Sequence, residues 1–583
     1  MKRQLSKIKN YWSQATILLL ILVFAFSIRL FQLDESPKGA LIDEAHFGYL
    51  AWSILETGKD EHGVPFPLNF KGFGDDKLPL QVYLLVPIVK FFGLSNATIR
   101  YPSVLLGSLL TLLMYFLSRR SGFTHQWALL AAFITAISPW PFILSRFGFE
   151  SNIALFFFTL GLIFLMSFLR NGKKYFLLGW AVCFAVTWYA YIAYRPITIG
   201  FFILTVLSLR FIKKITTKQL LGFVLIFVVA IIPLFQRSVI GNNSTRLSQV
   251  GIFHEPSLAL EVNEFRSFCV SYLYQPKLCY LVSNKYVVAF RFLLNRYLEA
   301  FSPNFLGTHG ESNEKFLTAE NAGQFASILY PFFIIGFVRL IIVCIEDWNE
   351  KRASHQFLIS SLILFGLLLT PIPSILAGDP QKVRISAFYP FVVLTMMLGM
   401  SWLYNTIKVK KIFKQLTVLL ILGVLFIQSA QFLTNWFGVH TLKHGDMYQS
   451  YLPKLFRYLQ PQLENPDTHV YVKPFFSDPI MFYAYYTHYD PAKYQQLAKL
   501  GVKEASGFQH TVQLENFFVT QVSLGEIGCQ AILTGQRTLY ITSEKIEGAN
   551  VAFSVYSENG VDPMVFVYNA PLSVDPKKCA AIQ

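Results

Sequence analysis

Carboxylates and basic side chains occur together at a few places in a sequence with little charge elsewhere. Only 14% of the 583 residues are charged, whereas 54% are apolar. Asp43 and Glu44 follow the turn residues of SPKG and begin a predicted helix, and Lys77 begins a second helix in GDDKLPL. A carboxylate can accept the proton of a hydroxyl or amine, while Lys or Arg stabilises negative charge on a departing phosphate. These residue types therefore suit transfer of a group from a phosphate-linked donor.

Further charged residues lie at predicted helix ends. Arg146 and Glu150 stand four residues apart in SPWPFILSRFGFESN, and three more basic residues are Arg100, Arg195 and Arg384. Structural explanations exist for each: N-terminal capping for Asp43 and Glu44, an ion pair for Arg146 with Glu150, and snorkelling for single Lys or Arg residues such as Lys77. Snorkelling explains less well why the basic residues gather beside acidic ones.

Long apolar helices must position these residues. The mean hydropathy is +0.44, and segments such as ATILLLILVFAFSIRLF approach the ~20 apolar residues that cross ~30 Å of hydrocarbon. The first of them is a retained span, because SIRLFQLDESPKG has no small-x-small cleavage site. About eleven spans are predicted, beginning near Thr16, Ile99, Trp127, Ile153, Tyr175, Ile197, Leu220, Ser327, Phe357, Ala387 and Leu416. We therefore predict a mainly α, polytopic transmembrane protein.

The net charge of +16 is distributed in a way that predicts the orientation of the spans. If the N-terminus is cytoplasmic, every inner loop carries a basic run, namely KRQLSKIK, SRRSG, RNGKK, RFIKKITTK, DWNEKR and KVKKIFK. This is the positive-inside pattern of a multi-pass protein of the plasma (inner) membrane. The basic residues are thereby explained without a nucleic-acid partner, and none is expected.

Two domains are predicted on this basis. Residues 1–435 form a transmembrane domain that includes a first outer loop with surface helices (33–98) and a large outer loop (237–324). Residues 436–583 form a soluble extracytoplasmic domain. That domain has short β-branched and aromatic segments such as THVYVKPFF and RTLYITSE between turn residues, which indicates an α/β or β-rich fold.

The six cysteines fall into two groups. Cys183 and Cys344 lie in apolar runs, where a thiol is a small packing residue. Cys269 and Cys279 share the large outer loop, and Cys529 and Cys579 share the C-terminal region. Both pairs are predicted to face an oxidising space, so we expect two disulfides, Cys269–Cys279 and Cys529–Cys579.

The order of several motifs resembles that of the polytopic GT-C glycosyltransferases, specifically the protein O-mannosyltransferase and aminoarabinose transferase branch (glycosyltransferase family 39-like). The motifs are DEAHFGYLAWSILETG, KLPLQVYLLVPIVKFFG, IRYPSVLLGSL, SPWPFILSRFGFESN and, more weakly, RYLEAFSPNFLGTHGE and VRISAFYPF. They cover about the first 400 residues. Two departures are KLP, where two prolines are commoner, and Glu150, where relatives often carry Asp.

The resemblance implies an inverting transferase that moves a sugar from a polyprenyl-phosphate donor to a lipid, glycan or protein acceptor outside the cytoplasm. It implies Asp43 as the catalytic carboxylate, Glu150 as a second acidic residue of the active site, and Lys77 as a phosphate contact. Glu44 is a further catalytic candidate. Arg146, Arg195 and Arg384 are candidates for binding the donor phosphate. Membrane lipid is the remaining expected partner.

Two other function classes fit parts of the pattern. A lipid-linked sugar transporter or flippase also needs many spans, but it usually has internal repeats, and none is evident here. A non-catalytic membrane assembly protein could share the fold. A divalent metal is possible, and no other cofactor is implied. Candidate metal ligands are Asp43, Glu44, His46, His62, Asp75, Asp76, His309 and Glu311, although no H-E-x-x-H motif occurs.

The predicted orientation can be tested with single cysteines and an impermeant thiol reagent. In intact cells, cysteines at Asn313 and Asn465 should be labelled, whereas cysteines at Asn171 and Lys410 should be labelled only after lysis, because the basic loops are retained inside. Labelling at Lys410 without lysis would contradict the orientation.

Overall fold

The computed structural model describes residues 2–72, 76–211, 216–240, 256–273, 276–311, 317–320, 322–349, 355–504 and 508–570. The chain forms two compact units. The helical unit contains Met1–Phe31 and Ser103–Thr434, and the sheet unit contains Gln32–Pro102 and Asn435–Gln583. The sequence-based division placed 33–98 in the transmembrane domain, whereas the structure groups these residues with the C-terminal region.

The helices of the first half of the chain are α1 (Lys2–Leu30), α2 (Ile42–Thr57), α3 (Pro79–Phe92), α4 (Asn96–Ser121), α5 (His125–Ile137), α6 (Pro139–Ser145), α7 (Glu150–Asn171), α8 (Tyr175–Ala190), α9 (Tyr194–Phe211) and α10 (Thr217–Ile240). Those of the second half are α11 (Pro256–Leu273), α12 (Pro276–Val282), α13 (Lys285–Glu299), α14 (Tyr330–Asn349), α15 (His355–Leu369), α16 (Ile372–Ile375), α17 (Tyr389–Thr406), α18 (Lys411–Thr434), α19 (Thr441–His444), α20 (Leu452–Leu463), α21 (Pro479–Thr487), α22 (Pro491–Leu497) and α23 (Leu524–Thr534).

Each of the eleven predicted spans coincides with a helix. Among the described residues, seven segments are long and apolar enough to cross a membrane, and the bent pair α5 and α6, with 54° between its parts, would make eight. Two other predicted spans are shorter apolar helices, Tyr175–Ala190 and Leu221–Leu234. A mainly helical, polytopic membrane protein is thereby confirmed. Its orientation stays a prediction.

Close helix packing in the helical unit depends on small residues. A Cβ atom placed on Gly336 of α14 would lie 1.9 Å from the carbonyl oxygen of Thr395 in α17. One placed on Gly399 would lie 2.1 Å from the carbonyl oxygen of Phe332. Glycine therefore allows the two backbones to touch, which is how helices commonly associate where lipid removes the hydrophobic driving force.

Seven strands lie in the described part of the sheet unit. They are β1 (Thr468–Val472), β2 (Lys499–Leu500), β3 (Thr511–Leu514), β4 (Phe517–Val519), β5 (Arg537–Thr542), β6 (Val551–Tyr556) and β7 (Pro563–Asn569). Their order in the sheet is β2-β3-β4-β1-β5-β7-β6, with β1 parallel to β4 and β5 and the other pairs antiparallel. The predicted α/β character is confirmed.

The core of the sheet unit is built from distant parts of the sequence. Buried side chains of α2 and α3, such as Phe47 and Leu85, belong to the same hydrophobic cluster as Val470 and Leu539 of the central strands. Tyr485 of α21 also donates a hydrogen bond to Asn96 at the start of α4, at 2.9 Å. This packing places α2, which carries Asp43 and Glu44, against the sheet.

The structure contains the Cys269–Cys279 disulfide, with Cα atoms 5.6 Å apart. Cys183 is buried and Cys344 is half-buried, and both are free thiols. Cys579 lies outside the described residues, and so does its predicted bond with Cys529.

Candidate active site

The first turn of α2 carries two adjacent carboxylates that meet different partners. The Glu44 carboxylate accepts a hydrogen bond from the backbone N–H of Leu41 at 3.1 Å, and the helix ends at Gly58, whose φ of 70° lies in the left-handed region that favours glycine. Acidic side chains are favourable here because the N-terminus of a helix carries partial positive charge. Successive helical residues point about 100° apart, so Asp43 and Glu44 face different surroundings.

Glu44 is fully buried against Arg100, which lies in the first turn and a half of α4. Arg100 Nε donates to Glu44 Oε1 at 2.8 Å, and Nη2 donates to Oε2 at 3.0 Å. The remaining Arg100 donors reach the carbonyl oxygens of Leu33 (2.9 Å), Pro37 (2.8 Å) and Gly39 (2.7 Å). All five N–H groups of the guanidinium are therefore used.

This geometry gives Glu44 a structural role. Its carboxylate is 0% exposed and is neutralised by a bidentate pair. The sequence made it a catalytic candidate because it stands beside Asp43, but burial keeps it from an incoming substrate. Arg100 holds three carbonyls and one carboxylate, so it is the residue that attaches the chain before α2 to α4.

Of the two carboxylates in the first turn of α2, that of Asp43 is the accessible one. Its side chain is 41% exposed and forms an ion pair with Lys77, which is only 2% exposed. The Lys77 backbone exchanges two hydrogen bonds with Phe70, at 2.8 and 3.0 Å, and its Nζ lies 5.5 Å from the centre of the Phe47 ring. A buried cation thus holds an exposed carboxylate in a fixed place.

A second polar cluster connects the first half of α2 to the turn that follows the helix. His46 Nε2 lies 2.9 Å from Glu61 Oε1, and His62 Nε2 lies 3.4 Å from the same atom. Burial raises the pKa of the Asp60 carboxyl, although the backbone N–H groups of His62 and Val64 donate to it. This cluster fixes the 60–64 turn, and Glu61 is a member that the sequence reasoning missed.

The metal candidates do not form a coordination site within the described part of the chain. No group of three or more His, Cys, Asp and Glu residues there is arranged to hold a metal ion. Asp76 accepts a hydrogen bond from Asn69 at 2.8 Å, and His309 Nδ1 lies 2.8 Å from the hydroxyl of Thr308. Asp75 lies outside the described residues. The divalent metal stays a prediction.

In the helical unit, Arg146 contacts the end of α1. It is fully buried, and its Nη1 donates to the carbonyl oxygens of Arg29 (3.0 Å) and Phe31 (2.7 Å). Arg29 in turn donates to the carbonyls of Thr135 and Ala136 at the end of α5, at 3.1 and 3.0 Å. Both arginines therefore satisfy carbonyls at helix ends, which have no partner within their own helix.

The other candidates of this unit are half-buried. Arg195 donates to the carbonyl of Trp188 at 3.4 Å and lies 5.8 Å from that indole ring. Arg384 donates to the carbonyl of Ala377 at 3.1 Å. Glu150 is the first residue of α7, where its carboxylate suits the helix N-terminus.

Sequence reasoning also missed Lys382, which is buried in the GDPQKVR segment. Its backbone N–H donates to Glu311, its Nζ donates to the carbonyl of Leu317, and its own carbonyl accepts from Trp140 Nε1 at 3.1 Å. Glu311, a metal candidate from the sequence, therefore serves as an acceptor that holds this segment. In the sequence, Lys382 is marked only by its position two residues before Arg384.

Comparisons with known proteins agree with this architecture. Residues 76–234 match the family model of dolichyl-phosphate-mannose-protein mannosyltransferases. The structure is similar to that of ArnT from Cupriavidus metallidurans bound to undecaprenyl phosphate, with 12% identity, a TM-score of 0.50, and coverage of 95% of this chain and 98% of that one. The chain has the GT-C glycosyltransferase fold.

A second structure shares this fold. It is the oligosaccharyltransferase of Archaeoglobus fulgidus tethered to an acceptor peptide, with 13% identity and a TM-score of 0.50; the match covers 83% of this chain and 64% of that one. No curated protein matches the sequence. The resemblance to GT-C proteins predicted from the motifs is confirmed. The family-model match contains Lys77, Arg146, Glu150 and Arg195 and begins after Asp43.

The structural role of Glu44 predicts a specific loss on substitution. Glu44→Ala leaves the buried Arg100 charge without its carboxylate, which should lower the free energy of unfolding by about 3 to 5 kcal/mol. Thermal unfolding of the purified protein in detergent measures this. Glu56→Ala, at the exposed end of the same helix, is the matched control and should unfold like the wild type. If Glu44→Ala unfolded at the wild-type temperature yet lost turnover, Glu44 would have a catalytic role instead.

Proposed function

We propose that the protein is a membrane glycosyltransferase that transfers a sugar from a polyprenyl-phosphate donor to an acceptor hydroxyl or amine on the extracytoplasmic side. Three findings support this. The family-model match is to mannosyltransferases that use a phosphate-linked lipid donor. The GT-C fold is shared with ArnT, whose crystal structure holds undecaprenyl phosphate. It is also shared with an oligosaccharyltransferase whose structure holds an acceptor peptide.

The observation that carries the proposal is the pairing of exposed Asp43 with buried Lys77. A carboxylate that removes a proton from an acceptor must be reachable by that acceptor, and Asp43 meets this requirement whereas Glu44 does not. The ion pair holds the Asp43 carboxylate at a fixed position, where an acceptor can reach it. Asp43 is thus the general base of the proposed reaction.

The proposed reaction needs no second carboxylic acid to protonate the leaving group. The Asp43 carboxylate takes the proton of the acceptor while the acceptor oxygen or nitrogen forms a bond to the anomeric carbon of the sugar. On the opposite side of that carbon, the bond to the phosphate oxygen breaks and both of its electrons leave with polyprenyl phosphate. Displacement from the opposite side inverts the configuration at the anomeric carbon. Phosphate is stable as an anion, so it departs without being protonated.

Cations then stabilise the charge on the leaving phosphate. Lys77 is the first choice, because its ammonium pairs with the accessible Asp43 carboxylate and so lies beside the proposed base. Since Lys77 is only 2% exposed, its contact with the phosphate requires the Asp43–Lys77 pair to open. Arg195 and Arg384, which are half-buried at helix ends, are further candidates. Arg146 is fully buried on main-chain carbonyls, which favours a structural role for it. Glu150 remains the proposed second acidic residue of the active site.

Replacement of the proposed base tests the chemistry. Asp43→Asn keeps the size of the side chain but removes the proton acceptor, so turnover should fall by ~10² to 10⁴-fold. Donor affinity should be nearly unchanged. The measurements are sugar transfer by purified protein supplied with a panel of polyprenyl-phosphate sugars, and donor binding by the same preparation. Glu56→Gln on α2 is the matched carboxylate control. Wild-type transfer by well-folded Asp43→Asn protein would show that Asp43 is only a helix cap.

Replacement of the proposed phosphate ligand should have a different signature. A cation that meets the phosphate in both the ground state and the transition state contributes to binding as well as to rate, so Lys77→Ala should raise KM for the donor and lower kcat. Lys77→Met retains most of the volume and serves as a second variant if Lys77→Ala folds poorly. Lys90→Ala, an exposed lysine on α3, is the control. An unchanged KM in both Lys77 variants would exclude phosphate contact.

A further inference from the structure

Between residues 256 and 299 the structure describes three helices, α11 to α13, which we call the 256–299 hairpin. Its internal core is small. Leu258 and Val262 of α11 pack against Val288 and Ala289 of α13, with a few partly buried neighbours. The Cys269–Cys279 disulfide links α11 to α12. This core is too small to cover the apolar side chains that the three helices carry.

The uncovered side chains form a continuous apolar face. On α13, Tyr286, Phe290, Leu294 and Leu298 are spaced four residues apart and are 42% to 66% exposed. Residues four apart lie on one side of a helix, so these four make a stripe along its whole length. Contiguous exposed apolar surface of this kind marks a contact with a membrane or another molecule.

The other two helices, α11 and α12, also carry exposed apolar side chains. Phe265, Phe268 and Tyr272 on α11 are all exposed and lie at helical spacing, and Tyr280 and Leu281 on α12 are exposed as well. Aromatic residues are prominent among them. Aromatic rings are the side chains that concentrate at the level of lipid headgroups.

The attachment of the hairpin places it near the end of a membrane span. Tyr297 at the end of α13 donates a hydrogen bond to the carbonyl of Leu368, at 2.9 Å, in the last turn of α15. The preceding residue, Arg296, forms an ion pair with Asp379 at 3.2 Å, just beyond the end of that span. Because α15 belongs to a candidate span, the hairpin leaves the helical unit at the height where hydrocarbon gives way to headgroups.

Basic side chains border the apolar face. The Arg266 guanidinium lies 4.8 Å from the Tyr280 ring, and the Lys285 ammonium lies 5.1 Å from the Tyr286 ring. Basic groups beside aromatic rings suit the headgroup region, where the rings meet the acyl chains and the cations meet phosphates. Lysine is depleted at protein–protein contacts, so Lys285 beside the Tyr286 ring favours lipid over a protein partner.

We propose that the 256–299 hairpin lies on the bilayer surface at which α15 ends, with its apolar face in the boundary between headgroups and acyl chains. The partner of this face is lipid. The Cys269–Cys279 disulfide holds α11 beside α12. This placement is independent of the proposed sugar transfer, because it depends only on exposure, charge and attachment.

Nitroxide accessibility measures the placement directly. Single labels are introduced through Phe268→Cys, Phe290→Cys and Leu294→Cys in protein whose free Cys183 and Cys344 are replaced by Ala, and the protein is put into phospholipid nanodiscs. Oxygen concentrates in lipid and a nickel chelate concentrates in water, so the ratio of their collision rates reports depth. Val338→Cys, on an exposed face of the span α14, is the lipid reference, and Asn263→Cys and Asn295→Cys, exposed polar positions of the hairpin, are the matched controls.

The three apolar positions should give oxygen-to-nickel ratios close to that of Val338, whereas Asn263 and Asn295 should give the ratios of water-exposed sites. Nickel-favouring ratios at Phe290 and Leu294 would overturn the proposal. Protection from both reagents, together with spin coupling between two labelled copies, would overturn it in favour of a dimer interface. Three separate labels allow the conclusion to survive the loss of one poorly folded variant.

Discussion

The buried Arg100 guanidinium is the constraint on which the candidate site depends. A charge removed from water is tolerated only if its hydrogen-bonding groups are satisfied, and the five donors of Arg100 reach the two oxygens of Glu44 and three main-chain carbonyls. Lysine could not replace it, because a point-like ammonium has three donors and no planar fork. The pair fixes the chain before α2, the first turn of α2 and the start of α4 at one position.

Fixing that turn separates the functions of two neighbouring carboxylates. Once Glu44 points inward to Arg100, the helix geometry turns Asp43 toward a different side, where it is half exposed and meets Lys77. Lys77 is itself brought there by its backbone pairing with Phe70. One acidic residue therefore secures the scaffold and the next remains available to a substrate. In the proposed function, the chemistry falls to Asp43 and the stability to Glu44, although the two residues are adjacent in sequence.

Local features of the structure could be predicted from the sequence. Apolar length located a helix at every predicted span, and short β-branched and aromatic segments located strands such as β5. Long-range partners could not be predicted in the same way. The core that joins Phe47 to Val470 connects residues more than four hundred positions apart, and no period or spacing identifies such a pair. For this reason the sequence predicts an outer loop of the membrane domain at residues 33–98, whereas these residues share a core with the sheet.

The difference between local sequence patterns and long-range contacts also explains the arginines at span ends. Sequence position alone allows an ion pair with Glu150 or phosphate binding for Arg146. Its contacts show a further role, which follows from a general property of helices: the last carbonyls have no partner within the helix, and in an apolar surrounding they need a donor. Arg146 supplies donors to the end of α1, and Arg29 supplies them to the end of α5. Part of the basic charge gathered at these ends is therefore explained by backbone hydrogen bonding.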